Sequence, residues 1–385
     1  MRSSLLQRCV NIRDFRHLAQ RRLPPALFHY LDGGADDEYS LRNNTAAFDQ
    51  YQLVPRALRD VTTLKLGTRV LGSAIDWPVI LAPTGMSRFF HHGGELAVAR
   101  AAQKSGTLYS LSTVATTTIE DVASATQGPK MFQLYVLRDH GINDELMVRC
   151  RDAGYNALCL TVDTVVQGNR ERDIRTGMTV PPKPTLRTLA GFAAHPRWCY
   201  HYLTTPPLGM ANLSHRMAQG SSEVSSLGAY INNQFDRALN WDYAEQLAKR
   251  WNGPFAIKGI LCAADAKHAA DIGATAVIIS NHGGRQLDTA RAPIDCVEEI
   301  ADAVGGRLEI IVDGGIRRGT HVLKALALGA TACMIGRPYL YGLAAGGEAG
   351  VERVLSLLKE EIERGMILAG QPDIQALDRD LVYAG

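Results

Sequence analysis

Eight short apolar runs recur along the chain, and a helical pattern follows most of them. The runs are Pro78–Ala82, Thr107–Leu111, Met131–Tyr135, Ala157–Val162, Phe255–Lys258, Ala276–Ser280, Glu309–Asp313 and Thr331–Gly336. They do not alternate apolar and polar residues, which is typical of parallel strands that are buried on both faces. Eight strand–helix units in series predict a closed α/β barrel of the TIM type.

An open, doubly wound sheet is the structural alternative. Such a sheet normally carries a Gly-x-Gly-x-x-Gly turn after its first strand, whereas residues 83–87 read PTGMS. Glycines end the helical patterns between the runs, as expected of helix C-termini. The helical patterns are Glu95–Ser105, Asp144–Ala153, Ala263–Ile272 and Thr320–Leu328, and the glycines are Gly106, Gly154, Gly273 and Gly329.

Two segments lie outside the eight units of this predicted single domain, residues 1–385. Residues 1–75 form a helical N-terminal extension, with helix starts near Asn11–Asp14 and Pro24–Pro25, and residues 76–385 form the barrel. An insert of about residues 174–240 follows the fourth strand and is rich in Pro, Gly, Ser and aromatic residues. A structureless loop of that length is uncommon and is usually functional or mobile.

Composition excludes several classes of protein. The 41 Lys and Arg nearly balance the 39 Asp and Glu, so nucleic acid is not an expected partner. The seven cysteines lack Cys-x-x-Cys spacing, which argues against a disulfide framework or a metal site and fits a reducing compartment. The chain has no run of 18 apolar residues and only a short apolar stretch near residue 5, so we expect a cytoplasmic protein without a spanning helix.

Polar residues and glycines cluster where the predicted strands end, which is where TIM barrels place their reactive groups. In chain order they are Pro83, Thr84 and Gly85; Ser112; Gln133 and Tyr135; Thr161, Asp163 and Arg170; Lys258; Ser280, His282 and Arg285; Asp313, Gly314, Gly315 and Arg317; and Gly336 and Arg337. Folding alone would tolerate almost any soluble residue at these positions. We therefore expect the functional site at this end of the barrel.

The turns after strands seven and eight predict a phosphate site. Glycine-rich turns that lead into a helix expose backbone N–H groups with a positive helix dipole behind them. Arg317 and Arg337 would add charge-assisted hydrogen bonds. The alternative is that the glycines only make tight turns.

The segment around His282 predicts acid–base chemistry on an anionic substrate. His282 could take a proton from a substrate whose carboxylate Arg285 holds, and Asp163 could orient the imidazole. Arg170 offers a second carboxylate partner, although it could equally be a surface residue, and His282 could be structural. Lys258, on a buried strand, needs a negative partner, which a flavin ring or a structural carboxylate would supply.

Four motifs carry a resemblance to a known family. They are FQLYV at 132–136, TVDT at 161–164, SNHGGRQLD at 280–288 and DGGIRRG at 313–319. With them the chain resembles the FMN-dependent L-2-hydroxy acid oxidases and dehydrogenases, among them glycolate oxidase, the quinone-linked L-lactate dehydrogenases and (S)-mandelate dehydrogenase. The resemblance extends from Leu23 to Ala345 and is strongest to the mandelate and lactate dehydrogenases.

The resemblance implies a role for each candidate residue. His282 would be the base paired with Asp163, and Arg170 and Arg285 would bind the substrate carboxylate with help from Tyr30 and Tyr135. Flavin contacts would come from Pro83, Thr84, Gly85, Ser112, Gln133, Thr161, Lys258 and Ser280, and ribityl and phosphate contacts from Asp313, Gly314, Gly315, Arg317, Gly336 and Arg337. The predicted cofactor is FMN rather than FAD or NAD, since the cradle accommodates one terminal phosphate and no dinucleotide fingerprint is present.

Two positions bear on the substrate and the electron acceptor. Plant glycolate oxidases carry a tryptophan where this chain has Val114, which leaves room for an acid larger than glycolate. The position of Gly85 holds alanine in glycolate oxidase and glycine in the mandelate and lactate dehydrogenases. The glycine of this chain therefore favours a quinone or another electron acceptor over O2. The alternatives are an oxidase that releases H2O2, a non-redox phosphate-binding barrel and a non-catalytic flavin-binding module.

The insert predicts a membrane contact. Residues 174–219 contain no Asp or Glu, and they combine basic and aromatic side chains as surfaces in anionic headgroups do. The basic residues are Arg175, Lys183, Arg187, Arg197 and Arg216, and the aromatic residues are Phe192, Trp198, Tyr200 and Tyr202. The resemblance implies the same, because mandelate dehydrogenase carries its membrane-binding segment here, and it also implies a homotetramer. We expect peripheral contact with the inner membrane; an active-site lid or an oligomer contact is the alternative.

Overall fold

The barrel is closed by eight parallel strands. The computed structural model describes residues 2–178, 185–214 and 235–385. The strands are β1 (Val79–Thr84), β2 (Tyr109–Ser112), β3 (Lys130–Tyr135), β4 (Ala157–Thr161), β5 (Phe255–Ile260), β6 (Ala276–Ser280), β7 (Glu309–Asp313) and β8 (Ala332–Ile335). Each pairs with its neighbour in chain order, and β8 pairs with β1. The predicted barrel is confirmed.

Helices surround the barrel and also occur in the segments attached to it. They are α1 (Arg2–Gln7), α2 (Ile12–Arg22), α3 (Pro25–Asp32), α4 (Tyr39–Ala46), α5 (Gly94–Lys104), α6 (Ile119–Ala125), α7 (His140–Asp152), α8 (Glu171–Thr176), α9 (Leu186–Ala193), α10 (Pro196–Thr204), α11 (Trp241–Trp251), α12 (Ala263–Asp271), α13 (Val297–Val304), α14 (Gly319–Ala327), α15 (Arg337–Gly346) and α16 (Glu348–Ala369). The Asn11 side chain accepts a hydrogen bond from the Asp14 N–H and so begins α2, as expected of an N-cap. Pro25 occupies the first turn of α3, where no N–H donor is needed.

The N-terminal extension contains four helices, as predicted, and the structure adds short strands to it. A hairpin of Thr68–Val70 and Ser73–Ile75 lies before β1, and its residues Val70, Leu71 and Ile75 pack with the side chains that fill the barrel interior. The hairpin therefore closes the amino-terminal end of the barrel. Another short strand, Tyr51–Leu53, pairs with Val382–Ala384 and joins the two ends of the chain.

The insert contains regular structure in its described part. Helices α8, α9 and α10 lie between β4 and β5, so the stretch is not a structureless loop. The Trp198 indole N–H donates a 2.8 Å hydrogen bond to the Phe89 carbonyl and fixes α10 to the turn after β1. Lys183 and Arg216 lie outside the described residues. The single domain over residues 1–385 stays a prediction.

Candidate active site

A cavity of about 240 Å³ opens at the carboxyl ends of the barrel strands. We call it the active-site cavity. Fifteen of the predicted residues line it: Tyr30, Pro83, Thr84, Gly85, Tyr135, Arg170, Lys258, His282, Arg285, Asp313, Gly314, Gly315, Arg317, Gly336 and Arg337. Five do not line it, namely Ser112, Gln133, Thr161, Asp163 and Ser280. Asp163 and Ser280 are hydrogen-bonded to the lining residues His282 and Lys258, and Ser112 donates a hydrogen bond to Gln133.

His282 lies between a carboxylate and a phenol. Its Nδ1 is 2.9 Å from Asp163 Oδ1, and its Nε2 is 3.4 Å from the Tyr135 hydroxyl. The backbone of His282 has a φ of 58°, a left-handed conformation that is unusual for a residue other than glycine. The Ser280 hydroxyl accepts the His282 N–H at 3.0 Å and helps to hold this conformation. Because Nδ1 is bound to Asp163, Nε2 is the nitrogen that faces the cavity.

Asp163 is ionised in this arrangement. Burial by itself would raise the pKa of the Asp163 carboxyl, but the charge and the hydrogen bond of His282 together with Lys258 lower it. Thr164 donates a further hydrogen bond of 2.9 Å to Oδ1, whereas Oδ2 is buried without a partner among the described residues. An ionised carboxylate at this distance stabilises the protonated form of the imidazole.

Two arginines form a positive site beside His282. Burial lowers the pKa of Arg170 to about 10, and the charge of nearby Arg285 contributes to the shift. The Arg170 Nε is buried and has no hydrogen-bond partner in the described structure. Arg285 is held by the carbonyls of Tyr30 and Gly33, at 2.7 and 3.1 Å. Two adjacent cations, one with an unsatisfied donor, form a site for an anion such as a carboxylate.

Lys258 is buried in a network of ionic and hydroxyl groups. Its Nζ lies 2.6 Å from Asp313 Oδ2 and donates to the Ser280 hydroxyl at 2.8 Å. Burial would lower the pKa of Lys258, but the Asp313 and Asp163 carboxylates raise it well above its usual value. A flavin ring and a structural carboxylate were the two negative partners considered for Lys258, and the structure contains the carboxylate. The amine stays charged and still borders the active-site cavity.

The polar groups around the cavity fit FMN. Gln133 Nε2 and Thr161 Oγ1 are buried without hydrogen-bond partners in the described structure, and both lie in the carboxyl-terminal halves of their strands. A ring system with several carbonyl and nitrogen acceptors would satisfy such groups. At β7 and β8, Gly315 has a φ of 77° and Gly336 caps the N-terminus of α15. The glycine turns and this helix N-terminus suit a terminal phosphate.

The two arginines of the predicted phosphate cradle are held differently. The Arg337 guanidinium donates to the carbonyls of Leu31, Gly33 and Gly283, at 2.8 to 3.2 Å. Arg337 therefore also ties α3 and the β6 turn to the β8 end. The Arg317 side chain donates to its neighbouring carbonyl, that of Ile316, at 2.8 Å.

Several residues of the site were not predicted from the sequence. Met210, from the middle of the insert, and Phe235, near its end, line the active-site cavity, and the Phe235 ring packs edge-on against Tyr135. Asn44 and Asn281 form paired side-chain hydrogen bonds that attach α4 to the β6 turn. No short-range pattern marks these residues. For Asn281 the sequence offered one signal, which is that this residue falls within the motif SNHGGRQLD.

The comparisons with known proteins agree with this geometry. The model of the FMN-dependent dehydrogenase family matches residues 19–384. The chain belongs to the FMN-dependent dehydrogenase family. It is 41% identical to an L-lactate dehydrogenase of Yersinia pestis over 95% of this chain and 96% of that protein. It is 39% identical to glycolate oxidase 1 of Oryza sativa subsp. indica over 97% of this chain and 95% of that protein.

A solved structure of the monotopic membrane protein (S)-mandelate dehydrogenase superposes with a TM-score of 0.94 at 37% identity. The alignment covers 98% of this chain and 100% of that one. Lactate, glycolate and mandelate are all 2-hydroxy acids. The predicted fold, the FMN cofactor and an oxidoreductase acting on this class of acid are thereby confirmed, and a non-redox barrel and a non-catalytic module are set aside.

Proposed function

We propose that this enzyme oxidises an L-2-hydroxy acid larger than glycolate and passes the electrons to a quinone at a membrane surface. The observation that carries the proposal is His282, held by Asp163, beside the cations Arg170 and Arg285 on the wall of a cavity that fits FMN. A base next to a carboxylate-binding site matches the chemistry of a 2-hydroxy acid, which has its reacting carbon directly attached to its carboxylate.

In this mechanism the protein positions the substrate and moves one proton. Arg170 and Arg285 clamp the carboxylate, which fixes the adjacent carbon, and Tyr135 and Tyr30 line the same part of the cavity. His282 Nε2 accepts the proton that the substrate loses, and Asp163 stabilises the resulting imidazolium. FMN, when bound, accepts the two electrons. Lys258, Gln133 and Thr161 would hold its ring, and the turns at Gly315 and Gly336 its phosphate.

The wall of the cavity supports a substrate with a large side chain. Gly85 and Val114 form one part of this wall, and Met210, Phe235 and Phe90 add apolar side chains to it. A Cβ atom added to Gly85 would lie 2.6 Å from the Val114 side chain, so the two positions are tightly packed together. A tryptophan at position 114 would fill space that an aromatic or long aliphatic substrate could otherwise occupy.

The substrate proposal is tested by anaerobic bleaching of the bound flavin with (S)-mandelate, L-lactate and glycolate. We expect the larger acids to reduce the flavin faster, and Val114→Trp to lose its activity on (S)-mandelate while retaining that on glycolate. Val148→Trp, at an exposed position remote from the site, is the matched control. If glycolate is the preferred acid of the native enzyme, the proposed substrate class is wrong.

The insert supports docking to a membrane surface. Leu186, Leu189 and Leu203 are exposed by 87%, 52% and 79%, and Arg187 and Arg197 lie on the same two helices, α9 and α10. Exposed leucines among cations, with Tyr200 also exposed, are typical of a surface that inserts shallowly into anionic headgroups. No helix in the described part of the chain is long and apolar enough to cross a membrane.

Co-sedimentation with anionic vesicles at low salt tests the docking. We expect the native enzyme to pellet and the double variant L186S/L203S to remain in solution while still bleaching with substrate. Leu368→Ser, which changes a leucine of α16 that is 70% exposed, is the control. A native enzyme that stays in the supernatant would favour a lid or an oligomer contact.

Light scattering then determines whether the protein is the proposed homotetramer.

A further inference from the structure

A second cavity, of about 590 Å³, lies beside the active-site cavity and outside the machinery described so far. Its walls come from α1 and α2, from residues 88–92 after β1, from α10 of the insert, and from α15 and α16. Segments from the first and last parts of the chain thus meet here with the insert. We call it the second cavity.

One aromatic ring separates the two cavities. Phe90 lines both of them, and its side chain is almost fully buried, with 4% exposed. On the active-site side, the Phe90 ring stacks on Tyr30 with 6.3 Å between centroids. On the other side, the hydrogen bond from Trp198 to the Phe89 carbonyl holds α10 against the same turn. A ligand in the second cavity would therefore lie next to the place where the substrate is oxidised.

The lining combines flat rings with cations. Trp198 stacks on Tyr202 at 5.2 Å and 14°, and His92 stacks between His91 and His201 at 4.2 Å from each. Five arginines also line the cavity, namely Arg21, Arg22, Arg88, Arg197 and Arg353, and none of its described lining residues is Asp or Glu. Such a site suits a planar, mainly apolar molecule with oxygen atoms that accept hydrogen bonds and gain negative charge.

Helix α10 connects the second cavity to the proposed membrane surface. Trp198, His201 and Tyr202 line the cavity, whereas Tyr200 and Leu203 are largely exposed, at 63% and 79%. No side chain of α10 is fully buried, so the helix is a thin wall between the cavity and its surroundings. A lipid-soluble molecule would reach the second cavity by passing this helix.

We infer that the second cavity binds a quinone, the electron acceptor of the reaction. The inference rests on the proposed function, and it adds the site and the residues that recognise the acceptor. Overall, the hydroxy acid loses two electrons and two protons to become the 2-oxo acid, and the quinone gains both to become the quinol. The arginines stabilise the negative charge that develops on the quinone oxygens, and the histidines can supply protons to them.

Filling the second cavity tests the inference. Ala349 lines the cavity from an exposed position at the start of α16, and Ser356, on the same helix, is exposed and does not line it. We expect Ala349→Phe to weaken binding of a short-chain benzoquinone to the oxidised holoenzyme by about tenfold or more in calorimetry. Ser356→Phe should leave that binding unchanged. His201→Leu is a second test variant, with retained FMN absorbance and melting temperature as the measure of folding.

Kinetics separate this inference from the proposed function. In Ala349→Phe we expect substrate to bleach the flavin at the native rate, ferricyanide to reoxidise it normally, and the benzoquinone to reoxidise it about tenfold more slowly. Native-like quinone binding and reoxidation in both Ala349→Phe and His201→Leu would overturn the inference. So would calorimetry in which short-chain phosphatidylglycerol binds at this cavity and the quinone does not. Absence of bleaching by any 2-hydroxy acid would instead refute the proposed function.

Discussion

Replacing Asp163 with asparagine should slow the reduction of the flavin without weakening substrate binding. The carboxylate lies 2.9 Å from His282 Nδ1, and the two side chains are only 14% and 19% exposed. Opposite unit charges about 4 Å apart attract by about 4 kcal/mol at the effective dielectric constant of such partly buried sites. Asparagine keeps the size and one hydrogen bond but removes this charge, so the imidazolium that forms during the reaction loses most of that stabilisation.

A loss of about 3–4 kcal/mol corresponds to a rate constant about 10²–10³-fold lower. The assay is anaerobic stopped-flow absorbance of the bound flavin over a range of (S)-mandelate concentrations. The limiting rate constant should fall by this factor, whereas the substrate Kd should stay within about threefold, because Arg170 and Arg285 are untouched. A merely structural role for Asp163 would instead change Kd and FMN retention together with the rate.

Thr164→Val is the matched control, because it removes a neutral donor to the same carboxylate oxygen. We expect a decrease of about tenfold or less, because a typical hydrogen bond contributes about 0.5–1.5 kcal/mol net and this one is made both before and during the reaction. If Asp163→Asn reduces its flavin within about tenfold of the native rate, the charge on Asp163 does not stabilise the imidazolium, and the reasoning is refuted.

Three further predictions concern the base, the buried lysine and an acidic residue of α3. His282→Gln should retain FMN and substrate binding but lose about 10²–10⁴-fold in the rate of flavin reduction, and near-native reduction would assign the base to another group. Lys258→Met should leave the Asp313 carboxylate buried without its cation and lower the free energy of unfolding by about 3–5 kcal/mol in urea titrations; an unchanged midpoint would contradict this. Burial would raise the pKa of Asp32, but its hydrogen bonds to Arg16 and Tyr341 lower it to about 2. The ionised Asp32 therefore contributes its full stabilisation above about pH 4, and this stabilisation is lost as the pH falls towards 2. The melting temperatures of the native protein and of Asp32→Asn should converge over that range. A difference in melting temperature that stays constant would disprove this pH dependence.

The barrel and most of the site could be predicted because both depend on local sequence. Strands buried on both faces require short, unbroken apolar runs, and the order of strands and helices then places the carboxyl ends of all strands together. His282, Lys258 and Gly314 could thus be assigned to one site from their positions after three different strands. Glycines with positive φ, such as Gly106 and Gly154, marked helix ends for the same local reason.

The parts that could not be predicted depend on contacts between distant segments. Met210 and Phe235 reach the active-site cavity only because the insert folds back over the barrel, and nothing in their neighbouring residues records that path. The hairpin that closes the barrel is held largely by packing against interior side chains, and its two strands have three residues each. The second cavity is assembled from six segments drawn from distant parts of the chain, so no single motif could predict it.

We propose that His282, Asp163 and the arginine pair carry out the oxidation of an L-2-hydroxy acid by bound FMN. Anaerobic single-turnover mixing of the holoenzyme with (S)-mandelate and with its 2-deuterated form tests this chemistry. We predict that the flavin bleaches with one 2-oxo acid formed per FMN, that deuterium slows the bleaching, and that the (R)-acid has no effect. A flavin that keeps its colour with every L-2-hydroxy acid, or that bleaches without forming the 2-oxo acid, would show that these residues do not carry out the oxidation.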